Sequence, residues 1–175
     1  GGDRCGARLV RHVVRSGSVA LPAELAACAA DAPPIRAVGG YPDSWRGSAR
    51  PPGAPAGASA LVAITAVDTA ADMLDRWWQS YSADGLGLRG GTWSVAGDRR
   101  VEFDLDGVRL VRDLPVSGRL AGDRDTGAVT CDLRVPSTAG VRRVVGTWNA
   151  DSADAEATVR VTGSGGASEL RFLAP

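Results

Sequence analysis

The sequence predicts an α+β fold: an N-terminal helix, then one long amphipathic helix packed on an antiparallel β-sheet or sandwich of about eight short strands. Three observations predict it. Apolar residues recur at steps of three and four near the N-terminus and again over residues 61–78, which gives each helix one buried face. After about residue 85 the period changes to two, in short runs separated by Gly- and Asp-rich turns. Hydrophobic residues make up 44% of the 175, enough for a core rather than a disordered chain.

Residues 1–35 form the first segment. Asp3 is suited to an N-cap, and Arg4–Arg15 reads as a helix with Cys5, Leu9, Val10, Val13 and Val14 on its apolar side. Arg4, Arg8, Arg11 and Arg15 make a stripe on the other side, read as a solvated face. Gly17 suits the helix stop, and Pro22 lies in the loop that returns toward Cys28.

Residues 36–58 read as a Gly/Pro-rich linker, with Gly39-Gly40-Tyr41-Pro42 and Arg50-Pro51-Pro52-Gly53-Ala54-Pro55. Residues 59–175 read as a helix plus antiparallel β accessory domain. Its helix carries Leu61, Ile64, Val67, Ala71, Leu74 and Trp78 on one side and Asp68, Asp72, Arg76 and Gln79 on the other. Asp72 and Arg76 stand at i,i+4 with the acid first, the favourable order. Trp77, Trp78 and Tyr81 end the helix and are expected to be buried, either on the sheet that follows or against a separate partner.

Eight strands are predicted: 91–96, 100–105, 108–113, 116–121, 128–135, 141–148, 155–162 and 168–173. Alternation is plainest in Val101, Phe103, Leu105 and in Val129, Cys131, Leu133, Val135. Asp106-Gly107 predicts a two-residue hairpin turn, since a type I′ turn needs positive φ at both positions. Residues 122–127 and 163–166 predict further hairpin loops. One apolar and one polar face per strand means a sheet covered on one side, and the long helix is the obvious cover.

Composition excludes several functions. The 20 basic residues are all Arg and are balanced by 20 acids, so no electrostatic drive toward nucleic acid exists. The longest apolar run, 60–67, is far short of the ~20 residues that span a bilayer. A single His leaves no room for a His-rich metal site. No G-x-S-x-G elbow occurs, and His12 lies in a helix among Arg residues, so no catalytic residue is assigned. Asp123-x-Asp125-x-Gly127 lacks the further oxygen ligands of a calcium loop, and no metal or cofactor is assigned. Asp104 and Asp106 are expected to be solvated acids beside a turn. Trp45, Trp93 and Trp148 would form a sugar-stacking platform if exposed together.

Of the three cysteines, Cys5 and Cys28 bracket the first helix and its return loop, and Cys131 falls on an inward strand face. A Cys5–Cys28 disulfide would close a loop of about 20 residues and stabilise by roughly 3 kcal/mol, which needs an oxidising compartment. Three reduced thiols are the alternative.

The segment 5–28, with Cys5, Leu9, Val10, Gly17, Pro22 and Cys28, resembles the C-terminal segment of secreted bacterial α/β-hydrolases of the tripeptidyl-aminopeptidase-like (TAP-like) group. In that group a Cys, an amphipathic helix, a Gly, a Pro and a second Cys follow shortly after the catalytic His. The resemblance covers about 35 residues and implies that nucleophile, acid and base all lie upstream of Gly1. The chain, which starts Gly-Gly-Asp without Met, would then be the inert C-terminal piece of a secreted or cell-envelope serine hydrolase, its partner the upstream catalytic domain. A non-enzymatic extracellular module that binds cell wall, sugar or protein is the alternative. A structural domain of a cell-envelope lipoprotein is a third.

Overall fold

The computed structural model describes residues 41–137, 140–152 and 154–175, together with His12, Arg15, Ser16 and Ala23. The chain divides into two compact units, Gly1–Ala37 and Val38–Pro175. In the first, His12, Arg15, Ser16 and Ala23 are α-helical and Arg15 is exposed. The other residues of the Arg stripe, and both Cys5 and Cys28, lie outside the described residues.

The second unit is one long helix on a single antiparallel sheet. Helix α1 spans Ala58–Ser80. Strands follow in order: β1 Asp84–Leu86, β2 Thr92–Gly97, β3 Arg100–Val108, β4 Val116–Asp123, β5 Ala128–Ser137, β6 Gly140–Asn149, β7 Glu156–Gly163 and β8 Gly166–Leu173. Each pairs with the next, so the sheet is an eight-stranded meander in chain order. Hairpin connections favour this order, because sequential strands need only short turns. The α+β architecture, the strand number and the helix on the sheet match the fold read from the sequence.

The alternation does the sorting. Val101, Phe103 and Leu105 of β3, Leu120 of β4, Val129, Cys131, Leu133 and Val135 of β5, Val144 and Trp148 of β6, and Ala157, Val159 and Val161 of β7 form one buried face. Their neighbours face outward and pair across strands. Asp104 stands opposite Arg119, which stands opposite Asp132. Arg119 meets Asp104 at 3.2 Å, and Arg143 grips Asp132 with two bonds of 2.7 and 2.5 Å. Such exposed pairs set register more than they add stability.

Three local expectations are corrected. Residues 108–113 are not a strand. β3 continues to Val108, and the loop after it turns Leu110, Val111 and Leu114 into the interior. Asp106-Gly107 is not a hairpin turn but a bulge in β3, where the register shifts between Leu105 and Val108. Only Gly107 has positive φ, at 61°, and its N–H takes the Ser117 hydroxyl as acceptor at 2.9 Å. The Gly supplies the conformation, but one left-handed residue makes a bulge where two would make the turn. Finally, β1 pairs with β2 from a segment, 84–86, that carries too little alternation to read as a strand.

Helix α1 is buried without a break from Ala60 to Val67, then at Thr69, Ala70, Met73 and Trp77. A helix enclosed on all sides over two turns needs small residues and no unpaired polar groups. Ala60, Ala63, Ala66 and Ala70 supply the first. Thr65 and Thr69 satisfy the second by donating to the carbonyls of Leu61 and Thr65 at 2.8 and 2.7 Å. The aromatic end departs from expectation. Trp77 is buried, with its ring edge-on to Phe103 at 5.8 Å, but Trp78 is 50% and Tyr81 61% exposed. Adjacent helical residues point about 100° apart, so only one of the two Trp rings can face the sheet.

Residues 41–57 are fastened to this unit. A 3-10 turn at Trp45–Gly47 packs Trp45 against the core. Asp43 accepts from Arg89 at 2.5 Å and Arg112 at 3.2 Å, and its carbonyl accepts the Arg112 N–H. The Pro52 carbonyl accepts from Leu173 on β8.

Candidate functional site

In a meander every second turn falls at the same end of the sheet. The turns β2–β3, β4–β5 and β6–β7 therefore gather at one end, where the last turn of α1 also arrives. There they enclose a cleft of about 170 Å³ lined by Trp77, Trp78, Asp75, Asp123, Arg124 and Asp151, with Leu74, Val101 and Val129 at its base.

The rim is built from hydrogen bonds within and between the turns. Asp123 Oδ1 accepts the N–H groups of Asp125 and Thr126, both at 3.0 Å. The Thr126 hydroxyl and these two amides hold the Asp123 carboxyl below the usual carboxylate range. The Asn149 amide donates to the Thr126 carbonyl at 2.9 Å, and the Ala150 N–H to the Gly127 carbonyl at 2.8 Å. Gly127 suits this turn. Its φ is 69°, and a Cβ would lie 2.6 Å from the Asp151 carboxyl.

Arg124 crosses the rim. Its N–H donates to the Arg99 carbonyl, and its guanidinium donates to Asp98 Oδ1 at 3.2 Å. The same guanidinium stands 5.8 Å from the Trp77 ring and 5.4 Å from the Trp78 ring, a cation–π arrangement with both. The two indoles are 5.7 Å apart and inclined by 59°, with Tyr81 against both. They form a notch rather than a flat plate. Tyr81 closes α1 in the left-handed region, φ 52°, a conformation Gly takes without penalty.

Among the described residues the lining offers indoles, carboxylates and one guanidinium, and no hydroxyl, thiol or imidazole. Asp123 is kept ionised, the opposite of what a general acid needs. The volume is below the ~300–1,000 Å³ of small-molecule pockets, so it admits one side chain or ring. A second groove, about 560 Å³, runs past Trp45, Val62, Leu114 and Arg142. Asp113 in its lining is engaged by the Ser44 hydroxyl at 2.6 Å and the Trp45 N–H at 2.9 Å.

The residues singled out from sequence do not converge. Trp93 and Trp148 are 4% and 6% exposed in the core, and Trp45 is half-buried under its own Arg46, 4.5 Å from the ring. The joint exposure a sugar platform required is not met. Asp104 and Asp106 lie in β3, not beside a turn. Asp125 is bonded to Arg99, and among the described residues no group of three His, Cys, Asp or Glu is placed to hold a metal ion. The Ser16 hydroxyl donates to the His12 carbonyl at 2.8 Å and lies 3.4 Å from His12 Nε2, an i,i+4 contact on an exposed helix. Cys131 is buried, and burial pushes its thiol up to about 12. No described helix is long and apolar enough to cross a membrane. The cleft residues Arg124 and Asp151 were missed because their turns are far apart in sequence. The signal that pointed there was a helix ending in Trp-Trp-x-x-Tyr with no basic residue in its last turn.

No protein-family model, no curated protein and no solved structure matches the chain.

Proposed function

We propose that this chain is the C-terminal, non-catalytic portion of a secreted serine hydrolase, peptidase- or esterase-like. Residues 1–35 carry the pattern of the last helical segment of its catalytic domain. Residues 36–175 are an accessory helix-plus-β part that binds. The observation that supports the non-catalytic role is the cleft itself: an aromatic and acidic notch whose described lining carries no hydroxyl, thiol or imidazole of the serine-hydrolase kind. Support for the division of labour is the separation of the chain into units after Ala37, close to the end of the Cys5–Cys28 pattern.

A free-standing extracellular binding module is the second reading. What favours it is that every cleft residue lies within 38–175. The coding sequence upstream distinguishes them. A G-x-S-x-G elbow and a His shortly before Gly1 support the hydrolase, and a signal peptide directly before Gly1 supports the module. On either reading the purified chain leaves aminoacyl and acyl-ester chromogenic substrates intact. Turnover that a serine-directed inhibitor abolishes would sink both.

A further inference from the structure

The geometry points to a cationic ligand for the cleft: the guanidinium or ammonium of a basic side chain, presented by a peptide or protein partner. This rests on the binding role proposed for residues 36–175 and names its ligand class. Four observations converge. First, two indoles inclined by 59° line the cleft, Trp78 half-exposed and Trp77 buried, so the π-faces do not form one plane. Second, the carboxylates of Asp123 and Asp151 line the cleft beside those indoles, with Arg124 the cation in the lining. Charge complementarity therefore favours a cation over an anion. Third, the notch sits at the C-terminal turn of α1, the negative end of the helix dipole, and that turn holds no basic residue of its own. Fourth, Arg124 already occupies the aromatic faces, and it is held there by Asp98, which is almost fully exposed, and not by a buried partner.

Arg124 is thus an internal stand-in. In the free protein its guanidinium covers Trp77 and Trp78, and a basic side chain from the partner displaces it. Released from the rings, Arg124 keeps its contact to Asp98 in water. The left-handed Tyr81 fits the same account, since the strained position sets a third aromatic ring against the notch.

The test titrates the chain with N-acetyl-arginine amide and N-acetyl-lysine amide, with N-acetyl-citrulline amide as the neutral isostere of the first. Indole N–H signals are followed by NMR. Saturable shifts of the Trp77 and Trp78 signals with the two cations, absent with citrulline and weakened by added salt, are the expected result. Trp78→Ala, at a half-exposed position, weakens binding about five- to tenfold. Asp151→Asn, which keeps the shape, weakens it about two- to fivefold. Arg124→Gln removes the competitor and tightens binding about two- to fivefold. A merely structural Arg124 would not produce tightening, so unchanged or weaker binding in that variant overturns the stand-in. Shifts with cello- or chito-oligosaccharides and none with the cations overturn the ligand class, as does no response to any probe. Failure here, in a chain that stays inert to a serine-directed inhibitor, removes the ligand class and leaves the non-catalytic role standing.

Discussion

Single residues in this protein are set by what lies within a few ångströms of them. Cys131 shows it most simply. It lies between Leu120 and Gly146 in the sheet and is buried, and its thiol is pushed up to about 12. The thiolate is the reactive form, so at pH 8 Cys131 resists alkylation in the folded chain and reacts in denaturant. Peptide mapping after iodoacetamide treatment checks this. Gly127 is the converse case, a residue defined by absence of a side chain. Gly127→Ala combines a left-handed φ with a collision at Asp151, and destabilises by more than about 1 kcal/mol; urea unfolding measures it. The displaced carboxyls all move in one direction. Arg89 and Arg112 hold Asp43 down, and Arg143 holds Asp132 down. At Asp113 burial pushes up, but the Ser44 hydroxyl and Trp45 N–H together outweigh it. A folded-state value below the unfolded one means stability that is complete above the unfolded value, 3.8, and lost as pH falls below it. Melting temperature is therefore expected to change little from pH 5 to 8 and to drop by pH 3. Trypsin should cut the 41–57 segment faster after recovery from pH 3 only if unfolding is irreversible, and faster at neutral pH in Asp43→Asn.

At the scale of elements, α1 carries the most information and the largest surprise. Its periodicity made it legible as a helix with an apolar stripe through Leu61, Ile64, Val67, Ala71, Leu74 and Trp78. Leu61, Ile64 and Val67 are buried as expected, but Ala71 and Leu74 are only partly so and Trp78 is half-exposed, and Ala63, Ala66, Ala70, Met73 and Trp77 complete the buried surface. Alanine explains the difference. It scores as weakly apolar along a sequence, yet in packing it is what lets a helix lie close to a sheet. Ala66→Leu therefore overpacks the interface and costs about 1–3 kcal/mol, whereas the same change at Gln79, which is exposed, is close to neutral. Chemical denaturation of the two variants separates them. The strands were legible for the same reason that they fold: Val129, Cys131, Leu133 and Val135 alternate with polar neighbours, and only one face can be buried. The failures were local. Asp106-Gly107 has the residues of a turn, but turn and bulge draw on the same left-handed glycine, and the choice depends on how far the partner strand β4 extends. β1 owes its place to pairing with β2, a non-local cause that three residues cannot announce. The cleft was illegible for a related reason. Arg124, Asp151 and Trp78 meet because the meander gathers alternate turns at one end, and strand order was left open between a single sheet and a sandwich.

Across the 38–175 unit, the two edges of the open sheet differ. β1 has three residues, too few to template another chain, and β8 is met by the Pro52 carbonyl on its outer side. The 41–57 segment, rich in Pro and Gly, thus serves as an edge cover as well as a connection. The same unit leaves one end furnished with exposed aromatics and carboxylates, and that end is where the binding role is placed. The proposal that this chain is the C-terminal, non-catalytic portion of a serine hydrolase requires its reactive serine to lie upstream of Gly1. Intact-mass analysis after treatment with a fluorophosphonate tests it most directly, on the purified chain and on the full product of its reading frame in parallel. The account predicts no adduct on the chain and one stoichiometric adduct on the full product, at a serine upstream of Gly1. A stoichiometric adduct on any serine of the chain itself would contradict it.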